Sequence, residues 1–238
     1  MDWKKIVEAE HGKMRNGTKK FGVNPDTFAL IEALYADQLA AYNAHFSEYP
    51  YLLGGRPSIG DFGLMIFLHA DLGRDPKPLS IMQKEAMAVL RYTERMSQRD
   101  ADWVEFPGWE ETYLDDDEIP ETLLNLARVM AEDFVPETQA AAKAINDWLA
   151  EQGDAASGTF AERSVGFGEF ELRGQTISAM AQPYRFYRLK RAQDEYEAMG
   201  EQHKADLKAL LDACNMTPIL DAKLDREVGW KDNREVWL

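Results

Sequence analysis

The chain has 238 residues, 45% of them hydrophobic and 29% charged, with 42 acidic against 27 basic side chains and a net charge of −15. This is ample material for a core in one or two domains, and the acidic balance repels nucleic acid and anionic membranes, excluding both as partners. A single cysteine, Cys214, excludes an internal disulfide framework and a cysteine-rich metal site; beside Leu210 and Leu211 it is expected to pack in the core.

The opening "MDWKKIVEAEHGK" has no apolar signal segment, and no stretch reaches the roughly 18 apolar residues of a membrane span, so a cytoplasmic protein is expected. A first helix carries His11, Met14 and Arg15, which three- and four-residue spacing places on one face. Residues 25–46 form one long amphipathic helix: Pro25 sits in its first turn, and Phe28, Ile31, Tyr35, Leu39, Tyr42 and Phe46 recur at helical spacing.

"GGRPSIGDFGL", residues 54–64, has two glycines ahead of an apolar helix, yet neither GxGxxG nor GxxxxGK[ST] can be written there. It reads instead as a helix start. Pro57 has no N–H to donate, Ser58 is a preferred N-cap, and Asp61 stands three residues on, where its carboxylate reaches back to the Ser58 N–H. Phe62, Leu64, Met65, Ile66, Phe67 and Leu68 then predict a helix over 58–72 buried on every side, with Ser58 and Asp61 as a structural capping box.

Gly73 and the "DPKP" prolines force a turn. The next helix turns Ile81, Met82, Ala86, Val89, Leu90, Thr93 and Met96 inward and Arg91, Glu94 and Arg95 outward. From Asp100 to Glu121 there are ten acidic residues and no basic one, interleaved with Trp103, Phe106, Trp109 and Tyr113. This is a loop. Its "DDDE" at 115–118 lacks the alternation and glycine of a calcium loop, and its charge suits the N-terminus of a helix that begins near Pro120.

Two helices follow, 120–134 and 136–151, then a loop at "EQGDAASG". The period changes to two in "FGEFELRGQTISAM", a hairpin around Arg173-Gly174. Two last helices, "PYRFYRLKRAQDEYEAM" and "EQHKADLKALLDAC", precede an irregular tail. His69 and Asp71 stand two apart on a helix and face away from each other, so His69 is expected to be a satisfied core histidine, and no metal site is expected. The pattern is all-α with one small hairpin near residues 167–179.

The run "IEALYADQLAAYNAHFSEYPYLLGGRPSIGDFGLMIFLHADLGRDP" resembles the all-helical C-terminal domain of glutathione S-transferase family proteins. Tyr51, Leu52, Leu53, Gly54, Pro57, Ser58 and Asp61 carry the resemblance, and "GEFELRGQTISAMAQPYRFYRLKRAQDEY" resembles the extended C-terminus of larger bacterial members. The resemblance implies a helical bundle over residues 1–155, with an extension over 156–238 packed on the same domain. It also implies that glutathione binding and thiol activation belong to a thioredoxin-like N-terminal domain absent from these residues. No catalytic residue, and no cofactor in this chain, follows from it. Val135 to Thr138 has some likeness to the family's glutathione contacts, but it is compressed and opens a helix.

In the family the helical domain walls the pocket for the electrophile. His11, Met14 and Arg15, with Tyr184 and Arg188 and their neighbours Arg185 and Tyr187, are the candidate pocket residues here. The leading expectation is a substrate-side domain that is catalytically incomplete alone. Its partner would be a thioredoxin-like domain or chain, and it would expose an apolar face able to form a homodimer. The alternative is a non-catalytic interaction module on the same fold, with the acidic aromatic stretch Asp100–Tyr113 as its contact surface.

Overall fold

The computed structural model describes residues 3–99 and 104–238, apart from the side chain of Met14, so Asp100, Asp102 and Trp103 of the acidic stretch lie outside the described residues. Helices dominate: α1 (Trp3–Lys19), α2 (Phe28–Glu48), α3 (Ile59–Met65) with a π-helical continuation (Ile66–Leu72), α4 (Pro76–Glu85), α5 (Met87–Ser97), α6 (Glu121–Gln152), α7 (Pro183–Ala198) and α8 (Glu201–Ala213). Two antiparallel hairpins accompany them, β1 (Phe167–Leu172) with β2 (Gln175–Met180) and β3 (Val228–Lys231) with β4 (Arg234–Trp237). Among the described residues no helix is long and apolar enough to cross a membrane.

The chain divides into two compact units, Met1–Ile31 with Ala131–Leu238, and Glu32–Met130, and both boundaries fall inside helices, α2 and α6. The core of Glu32–Met130 gathers Leu39, Tyr42 and Phe46 of α2 around Leu68, Met82, Val89, Tyr92 and Leu126. The Phe46 and Tyr92 rings stack with centroids 3.8 Å apart. In the other unit the core is built on Ala141, Ile145 and Leu149 of α6, Phe186 of α7 and Trp237 of β4.

Several expectations are corrected. α2 begins at Phe28, because Thr27 Oγ1 accepts from the Asn24 N–H (3.0 Å) and donates to the Gly22 carbonyl (2.7 Å), holding Pro25 to Thr27 in a turn. Phe28 is consequently 49% exposed. The segment 58–72 is not buried on every side: only Asp61 and Leu68 are buried, while Ile59, Phe62, Ile66 and Phe67 face outward.

The helix expected around Ile81 to Met96 is two helices, broken at Ala86, where φ −143° and ψ 57° leave the helical region. The α5 amide of Ala88 is satisfied by Asn43 Oδ1 of α2 at 2.9 Å, which stabilises the break. Arg95 does not point outward; it is 4% exposed and donates from Nη2 to the Pro50 carbonyl at 3.0 Å.

The helices expected at 120–134 and 136–151 are the single helix α6, with Pro136 inside it, so the Val135 to Thr138 string does not open a helix. Proline removes one ladder bond and crowds the preceding turn. Here apolar residues are buried in a core on each side of it, Leu126 before and Ile145 after, and packing outweighs the local penalty.

The first hairpin lies where the alternation places it. Its two-residue turn, Arg173 (φ 49°) and Gly174 (φ 77°), has the left-handed pair that matches strand twist. It meets α6 at Gly168, where an added Cβ would lie 2.7 Å from the Ala140 carbonyl group, and Arg173 forks onto Glu132 of α6 at 2.6 and 2.7 Å.

The tail is not irregular. β3 and β4 pair through a turn at Asp232 (φ 52°) and Asn233 (φ 60°), and Trp237 ends fully buried beside Trp148. Cys214 is buried as expected.

Candidate functional site

The loop "YLLGGRPS" is a backbone clamp. Tyr51 and Gly54 bridge to each other, the Gly55 N–H donates to the Thr112 carbonyl (2.9 Å), and the Leu114 N–H donates to the Leu53 carbonyl (3.0 Å). Gly54 has φ +115°, and an added Cβ would lie 3.0 Å from Leu114 N, so the position requires glycine on both counts. The amides of Tyr51, Gly54 and Gly55 donate to protein carbonyls, and those of Leu52 and Ser58 to the Asp61 carboxylate.

Beyond this clamp, Ser58 and Asp61 form the capping box at the start of α3. Asp61 Oδ2 accepts from the Ser58 N–H and O–H, both at 2.7 Å. Its Oδ1 accepts from the Leu52 N–H (3.0 Å) and the Tyr92 hydroxyl (3.1 Å), and the carboxylate is fully buried. Burial, reinforced by the Asp61 charge, holds the Tyr92 hydroxyl far above its ordinary pKa, so it stays a donor. Four donors saturate Asp61.

The core histidine of this unit is His45, not His69. His45 is fully buried; its Nε2 lies 3.3 Å from the Tyr51 carbonyl, which only a ring N–H can satisfy, leaving Nδ1 to accept from the Thr122 hydroxyl at 2.8 Å. Burial pushes its pKa down. His69 is half-buried near the surface, with Nδ1 3.4 Å from Ser97 Oγ, and Asp71 is exposed. Helical spacing marks His45 as inward, because it precedes Phe46 on the stripe of Tyr42. Among the described residues no three His, Cys, Asp or Glu side chains converge as a metal-binding group.

The candidate pocket residues fall in two places. His11 and Arg15 are exposed on α1, and the side chain of Met14 lies outside the described residues. Arg15 lines a shallow hollow of ≈ 340 Å³ at the turn into α2, together with Lys19, Asn24, Pro25 and Phe28. Neither His11 nor any residue of α7 lines it.

Tyr184 and Arg188 are exposed on α7. The Tyr184 ring lies 6.1 Å from Tyr187, which stacks on Trp230 of β3 at 5.5 Å. Trp230 belongs to the hairpin that local pattern does not reveal, since its turn is Asp-Asn and each strand has only four residues. Arg185 is turned to α6, bonding Glu137 at 2.7 Å and Thr138 at 3.4 Å.

The largest departure from ordinary burial follows the capping box directly. Ile59 is 89% exposed, Phe62 61%, Ile66 60% and Phe67 62%. Spaced at i, i+3, i+7 and i+8, they form a row along α3 and its π-helical continuation. Four large apolar side chains thus stand exposed in one row rather than scattered singly over the surface. No family model, no curated protein and no solved structure matches the chain.

Proposed function

We propose that this chain is the helical, substrate-side domain of a glutathione S-transferase-like protein and works only in company with a thioredoxin-like domain, in the same polypeptide or as a partner chain. One observation carries the reading: the apolar row Ile59, Phe62, Ile66 and Phe67 stands exposed on the helix that the buried Ser58–Asp61 box begins. The matching residues Tyr51 to Asp61 are those on which the resemblance rests, and a domain evolved against a neighbour keeps apolar contacts on the shared face. Interfaces between domains of one chain bury about 600–1,500 Å².

In this division of labour the partner domain holds glutathione and lowers its thiol pKa, and the helical domain shapes the surroundings of the electrophile. The hollow beside Arg15 and Phe28 and the aromatic ladder of Tyr184, Tyr187 and Trp230 are the surfaces it offers.

The test is conjugation of glutathione to a chloronitroarene. The purified chain alone should give no saturable rate above the uncatalysed reaction. A thioredoxin-like domain encoded by the same genome, added in trans or fused ahead of α1, should confer saturable activity and slow hydrogen exchange along α3. Saturable conjugation by the chain alone would overturn the proposal. Failure of every such domain to confer activity or protect α3 would also overturn it, and would favour a non-catalytic interaction module.

A further inference from the structure

The unit Glu32–Met130 holds a cavity of ≈ 710 Å³ between the loop before α3 and the end of α5. In a chain of net charge −15 its wall is cationic: Arg56, Arg95 and Arg99 line it, opposed among the described lining residues by the carboxylate of Glu111. Tyr51 and Phe62 contribute aromatic surface to the same wall.

Arg95 is the unusual member. Its side chain is almost wholly buried, Nη2 is held by the Pro50 carbonyl, and Nε is buried without a hydrogen-bond partner among the described residues. The guanidinium carbon lies 5.0 Å from the Phe106 ring centre. Burial lowers the pKa of Arg95, yet a guanidinium stays charged in proteins. Its nearest acidic influence, Glu105, is bonded to Arg91. Arg95 is therefore a buried cation whose nearest carboxylate is shared with a second arginine.

Arg91, Arg128, Arg173 and Arg185 each bridge a glutamate, and none of those four is as deeply buried as Arg95. Arg56 and Arg99 form no ion pair with a described residue, and Arg56 leans on the Tyr113 ring at 5.6 Å. Three arginines thus line one cavity, Arg56 and Arg99 exposed and Arg95 buried and incompletely bonded.

The volume suits a small molecule, and the acidic exterior repels extended polyanions before they reach the cavity. We propose that this cavity binds a small organic anion, its carboxylate or phosphate group held by Arg56, Arg95 and Arg99 and its flat apolar body lying against Tyr51 and Phe62. Planar guanidinium forks match both head groups, and ring faces take the rest. The cavity is lined by residues of this unit alone and needs no second domain, although Phe62 belongs to both the cavity wall and the apolar row.

Calorimetric or NMR titration of the full chain decides it, using phenyl phosphate and benzoate as probes, with inorganic phosphate and benzyl alcohol as the head-only and body-only controls. At least one aromatic anion should saturate at millimolar concentration or below and bind at least about tenfold more tightly than either control. The tighter of the two identifies the head group. The double variant Arg56→Gln with Arg99→Gln should retain the parent's denaturation midpoint and lose about tenfold or more in affinity. Phe62→Ala should weaken the aromatic anions and leave inorganic phosphate unchanged. The proposal is overturned by absence of saturable binding, by binding unaffected in the double variant, or by inorganic phosphate binding as tightly as phenyl phosphate.

Discussion

Asp61 illustrates how one residue secures a fold that its neighbours in sequence only begin. The capping box needs Ser58 alone, but the second carboxylate oxygen is taken by Leu52 and by Tyr92, thirty-one residues away. Removing the carboxylate leaves the Leu52 amide without an acceptor and the buried Tyr92 hydroxyl with only the Asp61 backbone carbonyl at 3.3 Å, and an orphaned donor costs roughly 1–3 kcal/mol. Asp61→Ala should therefore destabilise the chain by about 2–5 kcal/mol. Asp61→Asn should cost nearly as much, because every partner is a donor and the amide nitrogen would face one of them. Urea midpoints measure both; an Asn variant within about 0.5 kcal/mol of the parent would refute the donor-only assignment. The box was legible in the sequence through the Ser58 to Asp61 spacing. Its connection to Leu52 and Tyr92 was not, since no local pattern encodes a contact across two helices.

At the scale of elements, α3 and its π-helical continuation invert the expectation that an all-apolar helix is buried all round. Local apolarity reports what a segment tolerates, and the partner that covers it decides what is buried. Left uncovered, the row on this segment should draw two copies together, most simply as a symmetric dimer. The charge of −15 opposes that approach, so association should strengthen as salt screens it. Ile66→Gln with Phe67→Gln should give a monomer at every salt concentration, with stability within about 0.5 kcal/mol of the parent because both side chains are already mostly exposed. Sedimentation across a concentration series at low and high salt is the measurement. A parent chain that stays monomeric at high concentration and high salt would show the row to be no contact surface.

For the molecule as a whole, His45 links global stability to pH. Buried as the neutral ring between Tyr51 and Thr122, it has a folded pKa below the unfolded value of about 6.5. The unfolded chain therefore binds more protons as pH falls below that value, and the stabilisation present above it is lost on the way down through the folded pKa. The slope is at most about 1.4 kcal/mol per pH unit. Chemical denaturation between about pH 7.5 and 5.5 should show this decline, in a window above the ordinary carboxylate titrations. His45→Gln should flatten it, and an unchanged slope in that variant would assign the pH dependence to other groups. His69, half-exposed beside Ser97, has no comparable enclosure.

Local chemistry alone determined much of this protein. The repeat of Leu39, Tyr42 and Phe46 specified α2, Ser58 and Asp61 specified the start of α3, and alternation around Arg173-Gly174 specified the first hairpin, because each signal lies within a few residues of what it governs. Tertiary structure decided the rest. Packing carried α6 through Pro136 where local propensity predicts two helices, and a core around Trp237 drew the tail into a second hairpin. It turned Arg95 inward onto Pro50 and turned Phe62 and Phe67 outward. Burial is a relation between segments far apart in sequence: whether an apolar side chain is covered, or a cation is enclosed, depends on what the distant chain places beside it.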